Sequence, residues 1–445
     1  MAATQDAILS EEMHASTNLV RKETIQACGS SDDQHTINIK EEEDGKINQP
    51  PQSPKISKVP KKLRGRKDFR KHFQPRKISV GPYHHGKKNL EQIQELKPRW
   101  EELFIKGSSQ KNKALHGKIL SEISQLKEYY KAPYGFYDDD ALAGMMLQDG
   151  CSVLFFIFNA MHGKFRELNI GHRRVEIIMQ DLFLLENQLP FPVLELLLES
   201  RKTKDVSMQT IEELISWIAG VEPRPAVRPV TKEEKPSHLL DLLRTRLLGK
   251  PASTNKRGNN DSYFCRNVKK LMANGIRFRP SKTSELRDVS FNSYGVTGYL
   301  NLPPLAIDRF TVPVLWNLIA YERCPSITPG SGVTSFLSFL DLLIDYPEDV
   351  DLLESAQVLQ ISFASSEAVA HFFNSISVNL TVEDFGFYSQ VLADIRSHQS
   401  KKTYIWTSQL LDTYCSSPWK VIALFATIVV IFLTGTQTYF TVFPH

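Results

Sequence analysis

Cysteine is scarce and dispersed. Five occur in 445 residues, at Cys28, Cys151, Cys265, Cys324 and Cys415, and no two form a Cys-x-x-Cys pair. That spacing argues against a zinc module and a disulfide framework, and suits a reducing compartment. The sequence-local catalytic signatures are missing too. There is no Gly-x-x-x-x-Gly-Lys-Ser/Thr loop, dinucleotide fingerprint, His-Glu-x-x-His or Gly-x-Ser-x-Gly elbow. A site assembled from distant residues stays open. Net charge is only +4, so the positive excess is local. Met1 to Ser10 has no basic patch followed by an apolar run, so no secretory signal is expected. The pair His84-His85 has no third ligand at a recognisable spacing, and neither a metal nor a cofactor is implied.

Hydrophobic residues make up 41% of the chain, enough for a sizeable core. The most apolar part outside the C-terminal region runs from Gln180 to Leu198, and Glu186-Asn187-Gln188 interrupts it. Val175, Ile178, Met179, Leu182, Leu185 and Leu189 recur at helical spacing, so a helix is expected to run into the triplet. Pro190 cannot continue the ladder, and Pro190 and Pro192 suit the first turn of a second helix. The triplet is then placed to satisfy backbone groups freed at the break. Glu186 and Glu195 exclude a membrane span here.

Residues 1–77 read as a disordered charged tail. Lys61-Lys62-Leu63-Arg64-Gly65-Arg66-Lys67 opens a basic stretch that continues to Lys77. A solvated tail, a nucleic-acid contact and an anionic-membrane contact all fit it. Phe69 and Phe73 are thin support for base stacking, so nucleic acid is the weaker reading. Residues 78–410 read as one large, irregular, mainly α domain. Asp138-Asp139-Asp140 supplies a helix N-cap ahead of an apolar run that contains Cys151. A buried, inert thiol is the default for Cys151; the enzymatic alternative is a hydrolase or transferase using Cys151, His84, His85 and Glu186. Short alternating runs between Ile276 and Leu302 predict a small antiparallel sheet, ended by Pro303-Pro304.

Residues 411–445 read as a juxtamembrane segment and one C-terminal transmembrane helix. No charge occurs from Val421 to Phe443, about 23 residues or roughly 34 Å as a helix. Trp419 and Tyr439 suit the two interfaces, and Lys401, Lys402 and Lys420 precede the span. The positive-inside rule then leaves the body cytoplasmic, in a tail-anchored arrangement.

Several stretches together resemble one plant family, catalogued as domain of unknown function 247 and as uncharacterised protein family 0481. They are Val80-Gly81-Pro82-Tyr83-His84-His85-Gly86, Asp149-Gly150-Cys151, Leu184-Leu185-Glu186-Asn187-Gln188-Leu189-Pro190 and His238 to Arg244. Further matches are Asn274 to Phe278, Asn317 to Glu322, Glu348 to Leu353, Pro418-Trp419 and Gln437-Thr438-Tyr439. The resemblance implies a mostly helical plant protein with a C-terminal membrane helix and no established catalysis. Some similar grass proteins are associated with pollen–stigma self-incompatibility. The expected function is therefore a non-enzymatic, membrane-anchored recognition or signalling module. Its partners would be a lipid bilayer and a protein that the residues do not identify.

Overall fold

The computed structural model describes residues 55–131, 137–201, 206–219, 235–249, 267–325, 332–362, 364–377, 388–400 and 418–442. The body is mainly helical. Its central rod is a 23-residue helix, and the other elements are best placed relative to it.

The elements used below are α1 (Lys61–Arg64), α2 (Phe69–Phe73), α3 (Lys97–Lys106), α4 (Asn112–Ser121), α5 (Asp139–Met161), α6 (His172–Asp181), α7 (Phe191–Glu199), α8 (Met208–Ile218) and α9 (Leu239–Leu248). After the strands β1 (Ile276–Pro280), β2 (Ser290–Tyr294), β3 (Thr297–Leu302) and β4 (Leu305–Ile307) come α10 (Thr311–Glu322), α11 (Gly332–Leu343) and α12 (Pro347–Ser355). Strand β5 (Leu359–Ile361), α13 (Ser366–Ser377), α14 (Ser389–Ser400) and α15 (Pro418–Val442) complete the set.

The rod is α5. Asp138 caps it, its side chain accepting the Ala141 N–H at 2.6 Å, and Asp139 and Asp140 complement the helix dipole. Helices α3, α4, α7 and α8 pack around it. A helix wrapped on most sides must be apolar nearly all round, as this one is. It is long and apolar enough to cross a membrane, but 72% of that stretch is buried inside the body. A Cβ on Gly150 would stand 2.6 Å from Leu197 Cδ1, so the glycine lets α7 approach.

Helix α10 packs on α2 and α11, and α13 on α11 and α12. The buried apolar residues of all these elements form one core, from Ile56 to Ile395.

The small sheet between Ile276 and Leu302 is mixed, a correction to the antiparallel expectation. Its strand order is β1-β3-β2, with β2–β3 antiparallel and β1–β3 parallel. Alternation announces a strand but not the direction of its partner. Pro303-Pro304 ends β3, yet β4 follows at once and pairs in parallel with β5, Leu305 opposite Leu359.

Two further expectations are corrected. The stretch 55–77 is folded, because Ile56, Val59, Leu63 and Phe73 lie in the core. Helix α6 stops at Asp181, well before the proline, and α7 begins after Pro190. Residues 182–190 are therefore a buried non-helical turn whose backbone needs partners.

Candidate functional site

The buried turn supplies a set of polar side chains, and most of them grip backbone from elsewhere. Asp181 accepts the N–H groups of Arg76, Lys77 and Ile78, the Lys77 bond being 2.7 Å. Burial raises its carboxyl to about 6, against the pull of those same N–H groups. Asn187 Oδ1 accepts the Val80 N–H at 2.7 Å, while its Nδ2 donates to the carbonyls of Ile78 and Asp181. Gln188 Nε2 donates to the carbonyls of Leu182 and Leu184, both at 2.8 Å. Glu186 Oε1 accepts the Val59 N–H at 2.8 Å and the Arg64 guanidinium at 2.5 Å. Leu185 donates its N–H to Asn317 Oδ1 at 2.8 Å, and Asn317 Nδ2 donates to the His72 and Pro313 carbonyls.

The segment 59–81 is thus clasped along its length. At its far end the Gly81 N–H donates to Asp149 Oδ2 at 2.8 Å, and Asp149 Oδ1 pairs with Lys97 Nζ. Lys97 and Asp149 are 0% and 1% exposed, and Lys97 also donates to the Ser79 carbonyl at 2.6 Å. Gly81 has φ +73°, and a Cβ there would stand 2.5 Å from the Gln188 carbonyl oxygen. Only glycine suits that backbone and that approach. Pro82 is buried beside it. Tyr83 donates its hydroxyl to the Lys131 carbonyl at 2.7 Å, and its ring meets Tyr130 edge-on at 5.8 Å.

The proposed catalytic set is only partly brought together. His84 Nε2 lies 3.7 Å from Glu186 Oε2. Burial, with Lys87, Arg64 and Lys58 nearby, lowers His84 to about 3, so the ring is neutral and this is no ion pair. Its Nδ1 accepts from Lys87 Nζ at 2.6 Å. His85 instead turns its ring edge-on to Tyr137, 5.9 Å away. Cys151 is a fully buried free thiol, and burial raises its pKa well above the ordinary value. A nucleophilic cysteine needs the opposite shift, and no hydrogen bond joins Cys151 to a histidine among the described residues. Among the described residues, no group of three or more His, Cys, Asp or Glu is arranged to hold a metal.

Three further motif stretches repeat the pattern. His238 caps α9 by accepting the Asp241 N–H at its Nδ1. Glu322 accepts the N–H groups of Val333 and Thr334 and pairs with Arg244 at 2.8 Å. Asp349 accepts those of Lys269, Asp345 and Tyr346.

A profile of the plant family described as plant protein of unknown function, domain of unknown function 247, matches residues 56–433. The chain belongs to this family. Among its relatives, UPF0481 protein At3g47200 of Arabidopsis thaliana is 27% identical over 401 residues, covering 83% of this chain and 82% of that protein. Putative UPF0481 protein At3g02645 of the same plant is 28% identical over 179 residues, covering 40% of this chain and 33% of that protein. No solved structure matches the chain. The match begins at residue 56, where the buried core of the described residues also begins.

In this member of the domain of unknown function 247 family, the sequence reading found Glu186, Asn187, Gln188 and Asp149 but not their partners. Asp181, Arg64 and Asn317 enter it only as members of longer stretches, with no buried partner assigned, and Lys97 is not singled out. Asp181 ends a helix and Arg64 sits in a basic run, positions where exposure is the ordinary outcome. The residues expected to anchor a membrane lie on α15: Tyr439 is exposed there, while the side chains of Trp419 and Lys420 fall outside the described residues.

Asn187→Leu tests the clasp. It leaves the Val80 N–H and the Ile78 and Asp181 carbonyls buried without their present partner. The expected loss is about 1–3 kcal/mol, because unsatisfied buried groups bear the full desolvation penalty. Urea unfolding followed through the buried Trp100 and Trp316 reads it; unchanged stability would give Asn187 another role.

Proposed function

We propose that the protein is a non-enzymatic, membrane-held recognition module whose rigid helical body is presented from one membrane-spanning helix. The observation that carries this reading is α15. It is a continuous 25-residue helix, roughly 37 Å long where about 30 Å is needed to span hydrocarbon. Its apolar side chains are turned outward, Phe425 and Phe432 each 69% exposed. A contiguous apolar surface of this kind calls for a covering. Helix α5 is itself long and apolar enough to cross a membrane but finds its covering within the body.

The threonines of α15 support the reading. The hydroxyls of Thr427, Thr434, Thr436, Thr438 and Thr441 each donate to the carbonyl four residues earlier, at 2.7–2.8 Å. Polar groups satisfied within the helix remove much of the penalty of placing them in lipid. Lys401, Lys402 and Lys420 on the N-terminal side favour a cytoplasmic body. The buried polar side chains of the clasp are committed to holding backbone, which suits a rigid recognition platform better than a reaction centre. The recognition half of the proposal leans on the family resemblance.

Full-length protein in microsomes is expected to resist alkaline carbonate. A protease added outside should remove an N-terminal tag. The double substitution Val430→Lys and Ile431→Lys puts two charges at mid-helix, at about 2.5–3.5 kcal/mol each, and should move the chain to the carbonate-soluble fraction. Carbonate release of the unaltered protein would end the membrane reading, and a protected N-terminal tag would reverse the orientation.

A further inference from the structure

A cavity of about 750 Å³ opens between the Arg66–Arg76 stretch, the end of α6, the β4–α10 turn and α13. Its volume lies within the range of small-molecule sites. Val312, Pro313, Trp316, Val369 and Phe372 give it an apolar wall. Four cationic side chains, Arg66, Lys71, Arg76 and Arg309, also line it, against two carboxylates, Asp68 and Asp308.

Both carboxylates are already committed. Asp68 takes a forked pair of bonds from Arg66 at 2.8 and 2.9 Å. Asp308 Oδ1 accepts the N–H groups of Phe310 and Thr311 at the start of α10. Arg66 is further fixed by its guanidinium lying 4.0 Å over the Trp316 ring. Lys71 and Arg309 are exposed and have no ion-pair partner among the described residues. The Arg76 guanidinium donates to the neutral Gln180 carboxamide. The Asp181 carboxylate behind it is occupied by the backbone N–H groups of residues 76–78. With four cationic groups against two carboxylates, the cavity lining is net positive.

A second observation points the same way. His72 lines this cavity, is 5% exposed, and has a buried Nδ1 with no hydrogen-bond partner. Its Nε2 lies 3.2 Å from Asp68 Oδ2. With the proton on Nε2 facing Asp68, Nδ1 is a bare acceptor. A buried acceptor without a donor is uncommon in a native fold and is what a ligand hydroxyl or N–H would satisfy.

The geometry points to a binding site for a small organic anion: an apolar, aromatic-sized body against Trp316 and Phe372, a carboxylate or phosphate head held by Arg76, Arg309 and Lys71, and one hydroxyl or N–H donor for His72. This site is independent of the membrane reading, since it lies wholly within the body.

The test is isothermal titration of full-length protein in nanodiscs with 6-hydroxy-2-naphthoate, 2-naphthyl phosphate, neutral 2-naphthol and inorganic phosphate. Either naphthyl anion should bind at least tenfold more tightly than 2-naphthol, and more weakly as salt rises. The tighter of the two anions identifies the head group. Arg76→Gln with Arg309→Gln should weaken the anions at least tenfold and leave 2-naphthol unchanged. Both arginines are exposed, so the fold should survive, and an unaltered circular dichroism spectrum checks this. Ala368→Trp, at an exposed position lining the cavity, should abolish binding of all three naphthyl probes. The proposal falls if neither anion binds at millimolar concentration, if 2-naphthol matches them, if the arginine variant binds normally, or if inorganic phosphate binds as tightly as the naphthyl phosphate.

Discussion

Lys97→Met is expected to destabilise the body by about 3–5 kcal/mol, the usual cost of removing one partner from a buried ion pair. The substitution keeps the volume of the aliphatic stem and deletes only the ammonium. Asp149 is left as a buried carboxylate with the Gly81 N–H as its remaining hydrogen-bond donor, and the Ser79 carbonyl loses its donor. Because Ser79 and Gly81 belong to the clasped segment, the damage should concentrate there. Amide exchange should rise first at Ser79–Gly81 and along 59–78, ahead of the α5 core. The double change Lys97→Met with Asp149→Leu removes both charges and should recover part of the loss, leaving mainly the unpaired Gly81 N–H and Ser79 carbonyl. Urea unfolding of the three proteins measures this. A single-variant loss below about 1 kcal/mol would mean that water reaches the pair and that it is not a buried one.

How much of this was legible in the sequence depends on what each signal encodes. The Asp138 cap and the apolar run behind it disclosed α5, and Pro190 disclosed the break before α7. The triplet was correctly read as satisfying freed backbone where Gln188 takes the Leu182 and Leu184 carbonyls. The clasp itself was not legible. Its other half offers backbone N–H groups, which every residue except proline has, so Val59, Lys77 and Val80 carry no mark of being gripped. The four core residues of that half, Ile56, Val59, Leu63 and Phe73, are spaced widely among lysines and arginines, and net polarity hid them. Lys97 and Asp149 are 52 positions apart, and pairing at that range leaves no trace in one sequence. Two members of the basic stretch, Arg64 and Arg66, answer Glu186 and Asp68 within the fold, which a run of like charges does not disclose.

Acidification from pH 7 to pH 5 should weaken the body by about 4 kcal/mol, and histidines set the sign. His84 is lowered to about 3 and His238 to about 4, both chiefly by burial. Each therefore contributes stability above the unfolded value near 6.5 that drains away as pH falls toward the folded value. The physical reason is visible at both rings. His84 Nδ1 already accepts from the Lys87 ammonium, so a second proton there would set two cations together. His238 Nδ1 accepts the Asp241 N–H that caps α9, and protonation would destroy the cap. Over this range the two histidines together cost roughly 4 kcal/mol. His72, lowered to about 4, adds in the same direction. Asp181 opposes them. Its folded carboxyl, near 6, binds a proton before the unfolded one does, which returns about 1.3 kcal/mol between pH 7 and pH 5. The histidines win because their combined shift is larger. Urea midpoints at pH 7, 6 and 5 should fall steadily. His84→Gln with His238→Gln should flatten the slope whatever it does to the absolute midpoint, because glutamine does not titrate. A midpoint that holds or rises on acidification would show the Asp181 contribution to dominate.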